Sequence, residues 1–197
     1  MDCYVGVDLA ATSDLTAVAY LVVLDGTYYF KTHYYLPESA LKDKADKELY
    51  KYWKQQGYLT VTSGNVTDYD YITADMLRYA DVVNIQSVGY DKYNATQWAI
   101  DSTEQGLPLE EYPQTLGNFN MPTRELERLI LSGKAVIDNN EINRYCFRNV
   151  TLKSDYNGNV KPNKAVDKKK IDGTIAMIQA LGMFLRNPRF SNEIITI

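Results

Sequence analysis

The sequence predicts an α/β domain with a mixed sheet, in which three antiparallel strands come first and parallel strands flanked by helices follow. Residues 16–24 form a β-rich apolar run, and an Asp-Gly pair at 25–26 separates it from another such run, which is a strong hairpin signal. After residue 37, helical segments alternate with short strand-like segments, and an apolar helix follows at about 171–185. This order is typical of a mixed sheet covered by helices.

Periodicity and the Gly, Pro and Asn breaks predict the elements in chain order. Strands are expected at 4–10, 16–24, 27–36, 58–62, 85–91 and 109–113, with a short segment at 134–138. Helices are expected at 38–57, 68–84, 94–106 (with Asn94 as a candidate N-cap), 122–133, 141–149 and about 171–185. Residues 112–127 fit either a surface loop near the site or a connection that leads into a helix, and we favour the connection; residues 153–170 are interpreted as a loop.

Composition excludes several classes of protein. The 197 residues carry a net charge of -4, so the chain as a whole is not a basic nucleic-acid binder. The single histidine, His33, leaves a Ser-His-Asp triad without a base unless His33 serves it, and two cysteines without a CxxC pair argue against zinc. The longest apolar run, residues 17–24, is too short to span a membrane, and we expect no signal peptide.

Three aspartates interrupt or border apolar elements: Asp8 on the first strand, Asp91 at the end of a later strand and Asp172 at the start of the last helix. Each has a structural alternative, namely a buried hydrogen bond for Asp8, a helix cap for Asp91 and a helix-dipole contact for Asp172. Converging carboxylates bind divalent cations, and two such cations can support phosphodiester hydrolysis. Candidates for a fourth ligand are Asp14, Asp68 and Asp167, although Asp14 also fits a turn.

Four segments resemble the C-terminal nuclease domain of phage terminase large subunits. They are GVDLAATSDLTAVAYL, YYLPE, VGYDKYNATQW and FRNVTLKSDYNGNVKPNKAVDKKKIDGTIAMIQALG, in the order of that family and over nearly the whole chain. The resemblance implies an RNase H-like fold and a metal-dependent endonuclease that cuts concatemeric double-stranded viral DNA during packaging. It places the family's metal-binding aspartates on Asp8, Asp91 and Asp172, with Mg²⁺ or Mn²⁺, and two ions, as the expected cofactors.

The resemblance also implies partners and a location. They are double-stranded DNA, a packaging ATPase domain, a small terminase subunit and a portal, in the cytoplasm of an infected or lysogenic bacterial host. The chain itself has no GxxxxGK[ST] motif. Residues 1–197 are therefore expected to form a single, excised nuclease domain that does not bind ATP, with Met1 as an added start.

Basic residues concentrate between 144 and 170, directly before Asp172. They predict contacts with DNA phosphates, although a solvated charged loop would have the same composition. The candidates are Arg148, Lys164, Lys168, Lys169 and Lys170. No helix-turn-helix or zinc-finger pattern is present, so contacts mainly with the DNA backbone are expected.

Three other functions remain open at this point. GVDLAATSD is similar to the phosphate loop of actin-like sugar kinases and chaperone ATPases, although Ala10 occupies the position of a glycine in those loops. Holliday-junction resolvases share the same fold and carboxylate chemistry. A non-catalytic assembly module that docks on a portal or small terminase subunit would not need the three aspartates.

Overall fold

The computed structural model describes residues 1–12, 14–42, 46–93, 95–166 and 169–188, so the candidate N-cap Asn94 and the candidates Asp167 and Lys168 lie outside the described residues. The strands are β1 (Asp2–Asp8), β2 (Thr16–Leu24), β3 (Thr27–Pro37), β4 (Thr60–Thr62), β5 (Asn84–Tyr90), β6 (Leu109–Glu111), β7 (Ala135–Ile137), β8 (Val150–Ser154) and β9 (Val160–Lys164). The helices are α1 (Lys47–Gln55), α2 (Tyr69–Ala80), α3 (Thr96–Glu104), α4 (Leu116–Leu131), α5 (Glu141–Arg148) and α6 (Asp172–Arg186), with a 3₁₀ turn at Glu38–Leu41.

The main sheet is mixed and has the order β4-β3-β2-β1-β5-β6. Strand β3 pairs with β4 through residues 35–37 and with β7 through residues 28–30. The β1/β2 and β2/β3 pairs are antiparallel, whereas β1/β5, β5/β6, β3/β4 and β3/β7 are parallel. This arrangement confirms the predicted antiparallel start followed by parallel strands. It also places the ends of β1 and β5 side by side, because these two parallel strands pair up to Val7 and Tyr90, with one register shift between Cys3 and Tyr4.

Helices cover both faces of the sheet. One buried cluster joins residues of α1, α4, α5 and α6 to one face, and a second cluster joins residues of α2 and α3 to the other. The central strand β1 therefore contributes to both, with Tyr4 in the first cluster and Val5 in the second. A strand covered on both faces is nearly all apolar, which explains the run that precedes Asp8.

Helix α6 lies directly on β1 at Gly6. A Cβ atom on Gly6 would lie only 2.1 Å from the carbonyl oxygen of Ala176 and 2.4 Å from the amide nitrogen of Ala180. Asp8 is two residues beyond Gly6 on the same face of the strand, and Asp172 is one helical turn before Ala176. The contact at Gly6 therefore brings the carboxylates of Asp8 and Asp172 to the same end of the sheet.

Helix α4 begins at Leu116, earlier than predicted. Pro122 therefore lies inside the helix rather than in its first turn. Proline has no N–H to donate to the carbonyl oxygen of Asn118, four residues earlier. The hydroxyl of Tyr112 donates to that oxygen at 2.7 Å instead. The interpretation as a connection is therefore wrong for residues 116–121, which belong to α4 together with the helical residues expected from 122 onward.

Two further predictions need correction. One helix is expected at 38–57, but the structure has two elements there, the 3₁₀ turn at Glu38–Leu41 and helix α1 at Lys47–Gln55; residues 43–45 between them lie outside the described residues. The loop expected at 153–170 contains a β-hairpin, because β8 pairs with β9 from Val150/Lys164 to Ser154/Val160. Two hydrogen bonds attach this hairpin to α4: Arg124 Nη2 donates to the Gly158 carbonyl (2.6 Å), and the Val160 amide donates to Asn120 Oδ1 (3.0 Å).

No helix in the described part of the chain combines the length and the apolar character that crossing a membrane requires.

We predict that Gly6→Ala lowers the free energy of unfolding by at least about 2 kcal/mol, because the new methyl group would push α6 off β1. Gly117→Ala is the matched control, since a Cβ there has no heavy atom within 4 Å and Gly117 lies in a helix. Urea unfolding in EDTA measures both variants. Equal stabilities for the two variants would show that α6 does not depend on this close contact.

Candidate metal centre

Asp8 and Asp172 line one cleft of about 400 Å³ at the end of β1. Asp8 is the last residue of β1 and is partly buried, whereas Asp172 opens α6 and is 7% exposed. The other polar side chains of this cleft belong to Asp14, Gln114, Lys161, Asn163 and Lys164. The structure therefore brings two of the three predicted aspartates together, with lysines of the hairpin on the same cleft.

The electrostatics of this cleft disfavour two ionised carboxylates. Burial raises the pKa of Asp8 well above its usual range, and the charges of Asp172 and, to a smaller extent, Asp91 raise it further. Burial is also the main reason why the pKa of Asp172 is raised, with an added contribution from Asp14. Asp172 Oδ2 is buried and has no hydrogen-bond partner among the described residues.

Asp91 is held beside the cleft rather than inside it. Its Oδ1 accepts a hydrogen bond from the amide of Tyr93 (2.9 Å), and its Oδ2 accepts one from the amide of Gln114 (3.0 Å). The helix-cap alternative for Asp91 does not hold, because Ala95 occupies the N-cap position of α3. The charge of Asp91 nevertheless contributes to the raised pKa of Asp8, so Asp91 is close enough to interact electrostatically with the cleft.

No ready-made metal cluster is formed by the described residues, since no three His, Cys, Asp or Glu side chains among them are arranged to hold an ion. The chemistry of the cleft still fits a divalent cation. Carboxylate oxygens are the ligands that Mg²⁺ and Mn²⁺ prefer. Asp172 Oδ2 has no hydrogen-bond partner among the described residues, so its lone pairs are available to coordinate such an ion. A cation there would also offset the repulsion between Asp8 and Asp172.

The two described candidates for a fourth ligand differ in position. Asp14 lines the cleft and pairs with Lys170, and Lys164 Nζ lies 3.9 Å from its Oδ2. Asp68 instead caps α2 by accepting a hydrogen bond from the Tyr71 amide at 3.0 Å. A structural function therefore accounts for Asp68, whereas Asp14 belongs to the cleft.

The predicted DNA-contact residues are also spread over different environments. Lys164 lies on the cleft, and Lys169 Nζ lies 5.6 Å from the ring centroid of Tyr145. Lys170 is largely buried by its ion pair with Asp14, with 11% of its side chain exposed. Arg148 is exposed in the last turn of α5. Of these four, Lys164 is the one on the cleft.

Sequence reasoning missed Gln114, which joins two of the aspartates. Its side-chain amide donates to Asp8 Oδ1 at 3.0 Å, while its backbone amide donates to Asp91 Oδ2. The sequence favours a connection over a surface loop near the site for residues 112–127, and it singles out none of their side chains as a ligand or positioning residue. Only the strand order, which places the residues after β6 beside the end of β5, identifies Gln114 as a residue of the site.

Comparisons with known proteins give relatives along nearly the whole chain. Residues 1–187 match the family model described as "Terminase large subunit, endonuclease domain". The terminase large subunit of Enterobacteria phage HK97 is 29% identical over 187 residues, which cover 91% of this chain and 36% of that protein. Protein YmfN of Escherichia coli K12 is 32% identical over 91% of this chain and 42% of its own length. The chain thus spans less than half the length of these relatives.

Solved structures agree with the sequence matches. The crystal structure of the HK97 large terminase matches with a TM-score of 0.84 and 28% identity, over 92% of this chain and 39% of that chain. The large terminase nuclease of thermophilic phage G20c with bound magnesium matches with a TM-score of 0.61 and 13% identity, over 91% and 79% of the two chains. This second likeness concerns the RNase H-like fold alone. Because the family model covers nearly the entire chain, the chain belongs to the family of terminase large subunit endonuclease domains.

Proposed function

We propose that this chain is a metal-dependent endodeoxyribonuclease domain that cuts concatemeric double-stranded DNA by two-metal phosphodiester hydrolysis. One observation carries the proposal: the partly buried Asp8 and the buried Asp172 line one cleft, the charge of Asp172 raises the pKa of Asp8, and Asp172 Oδ2 has no partner among the described residues. Like charges in a buried site are costly unless a cation joins them. The magnesium bound in the structure of the G20c large terminase nuclease, which has a similar fold, supports the proposal that this cleft binds a divalent cation.

Asp8, Asp91 and Asp172 are the proposed ligands and catalytic residues, with Mg²⁺ or Mn²⁺ as the cofactor. Bound divalent cations would stabilise the charge that develops on the phosphate and would activate the attacking water. Asp8 and Asp172 come from rigid elements, β1 and α6, so little reorganisation is needed to hold a cation between them. Each oxygen of Asp91 accepts one backbone hydrogen bond and keeps a second lone pair, through which Asp91 would join them.

Lysines of the hairpin would contact the DNA. Lys161 and Lys164 line the cleft, so a phosphate that approaches Asp8 and Asp172 also comes close to these two ammonium groups. Contacts of this kind position the duplex without reading its sequence. Arg148, Lys168, Lys169 and Lys170 remain proposed phosphate contacts, and Lys170 also pairs with Asp14.

The proposed setting follows from the family. Residues 1–197 would form one nuclease domain that acts with a packaging ATPase domain, a small terminase subunit and a portal, in the cytoplasm of a bacterial host. A non-catalytic docking module is the second candidate. It is favoured by one observation, which is that the described residues hold no ready-made three-ligand cluster.

A plasmid-nicking assay tests the proposed function. We expect Mn²⁺ or Mg²⁺ to convert supercoiled plasmid to nicked and linear forms, and EDTA to prevent this. Asp8→Asn, Asp91→Asn and Asp172→Asn should each lower the rate by at least about 100-fold, because each removes a charged metal ligand. Asp81→Asn is the control, since Asp81 is exposed just before β5, at the opposite end of that strand from Asp91.

If all three variants cut as fast as the wild type, the aspartates are not catalytic. If the folded wild type binds neither Mn²⁺ nor Mg²⁺ and cuts in neither, the docking module is the better account. Preferential cutting of four-way junctions over linear duplex would instead favour a junction resolvase.

The repulsion in the cleft predicts how metal changes stability. We expect Asp172→Asn to raise the free energy of unfolding in EDTA by roughly 1 kcal/mol, because it removes a buried charge beside Asp8. Mn²⁺ should stabilise the wild type and should stabilise Asp172→Asn much less. Thermal melts with EDTA and Mn²⁺ measure both effects, and a variant that melts well below the wild type in EDTA would show that Asp172 has a structural function instead.

The position of Lys164 predicts the salt dependence of DNA binding. In EDTA, Lys164→Ala should weaken binding to duplex DNA and reduce the slope of log K against log salt by about 0.9, the value for one lost phosphate contact. Lys134→Ala is the control, because the Lys134 backbone bonds to Tyr28 at the far end of β3. Fluorescence anisotropy at several salt concentrations measures the slopes. Identical slopes for Lys164→Ala and the wild type would exclude a phosphate contact by Lys164.

A further inference from the structure

Gln114 makes three hydrogen bonds to three different parts of the candidate metal centre. Its Nε2 donates to Asp8 Oδ1 (3.0 Å), its backbone amide donates to Asp91 Oδ2 (3.0 Å), and its backbone carbonyl accepts from Lys161 Nζ (3.2 Å). One residue therefore joins the ends of β1 and β5 to strand β9 of the hairpin.

The backbone around Gln114 is fixed from both sides. Before it, the Tyr112 amide donates to the Tyr90 carbonyl at 2.7 Å, which keeps the chain alongside the end of β5. The ring of Pro113 restricts its own φ, and Asn118 Nδ2 donates to the Pro113 carbonyl at 2.9 Å. After it, Thr115 caps α4. These restraints allow the Gln114 side chain to hold Asp8 in one orientation.

We propose that Gln114 is a positioning residue that orients Asp8, and through its backbone Asp91, for a divalent cation. This inference rests on the metal centre of the proposed function. A carboxylate has about four lone-pair directions, so Asp8 can accept the Gln114 N–H and still present oxygen to an ion. A neutral amide donor suits this purpose, because it holds the carboxylate without placing a positive charge where the cation binds. Outer hydrogen bonds of this kind commonly set the affinity of carboxylate metal sites.

The experiment is a Mn²⁺ titration by calorimetry, without DNA and without any measurement of cleavage. Gln114→Ala and Gln114→Met should each weaken Mn²⁺ binding by about 10- to 100-fold, with Gln114→Met keeping the side-chain volume while losing the N–H donor. Thermal melts in EDTA establish that each variant is folded. Gln97→Ala is the matched control, because Gln97 Nε2 also donates to a carboxylate, Asp101 Oδ1 (2.7 Å), on the exposed surface of α3.

Each outcome decides the matter. Wild-type affinity in a folded Gln114→Met variant overturns the proposal, because the hydrogen bond would then be irrelevant to the metal. Tighter binding in either variant also overturns it, since Gln114 would then compete with the ion. If the wild type binds no Mn²⁺, the proposed metal centre fails and this inference fails with it, whereas wild-type binding with unchanged Gln114 variants defeats this inference alone.

Discussion

The contact of α6 with β1 at Gly6 is the constraint on which the candidate site depends. With no side chain between them, the helix backbone lies against the strand, and a methyl group on Gly6 would lie 2.1 Å from the Ala176 carbonyl oxygen. The first residue of the helix and the last residue of the strand are both aspartates, so this contact fixes two carboxylates in one cleft. The apolar character of α6 stabilises the arrangement, because residues 172–184 of that helix are all buried.

The same packing creates an electrostatic problem that the surrounding residues relieve only in part. Lys164 lowers the pKa of both Asp8 and Asp172, while the amide of Gln114 acts on Asp8 and the ammonium of Lys170 on Asp172. Burial nevertheless keeps both pKa values raised, with repulsion from Asp172 added at Asp8 and repulsion from Asp14 added at Asp172. The lysines and the Gln114 amide therefore offset only part of the unfavourable electrostatic energy of the carboxylates. A bound divalent cation would offset the remainder, so the cleft favours cation binding.

The sequence predicts the sheet and the positions of Asp8 and Asp172, because strand and helix periodicity fixes where those residues stand in their elements. It does not predict the hairpin β8/β9, since both strands are largely polar, β8 is mostly exposed, and Pro162 interrupts β9. It also misplaces the start of α4, because the Asn118 carbonyl that Pro122 leaves unpaired is satisfied by a tertiary bond from Tyr112. Gln114 is missed for a related reason: its partners come from strands distant in sequence, and no local pattern marks it.

The most direct test of the central claim is the position of the ion itself. Anomalous diffraction from crystals of the domain grown with Mn²⁺ locates manganese independently of any activity. The account predicts a peak within coordination distance of both Asp8 and Asp172, with the Gln114 amide still donating to Asp8. Ordered manganese elsewhere on the domain, with the cleft between β1 and α6 empty at saturating Mn²⁺, would contradict it.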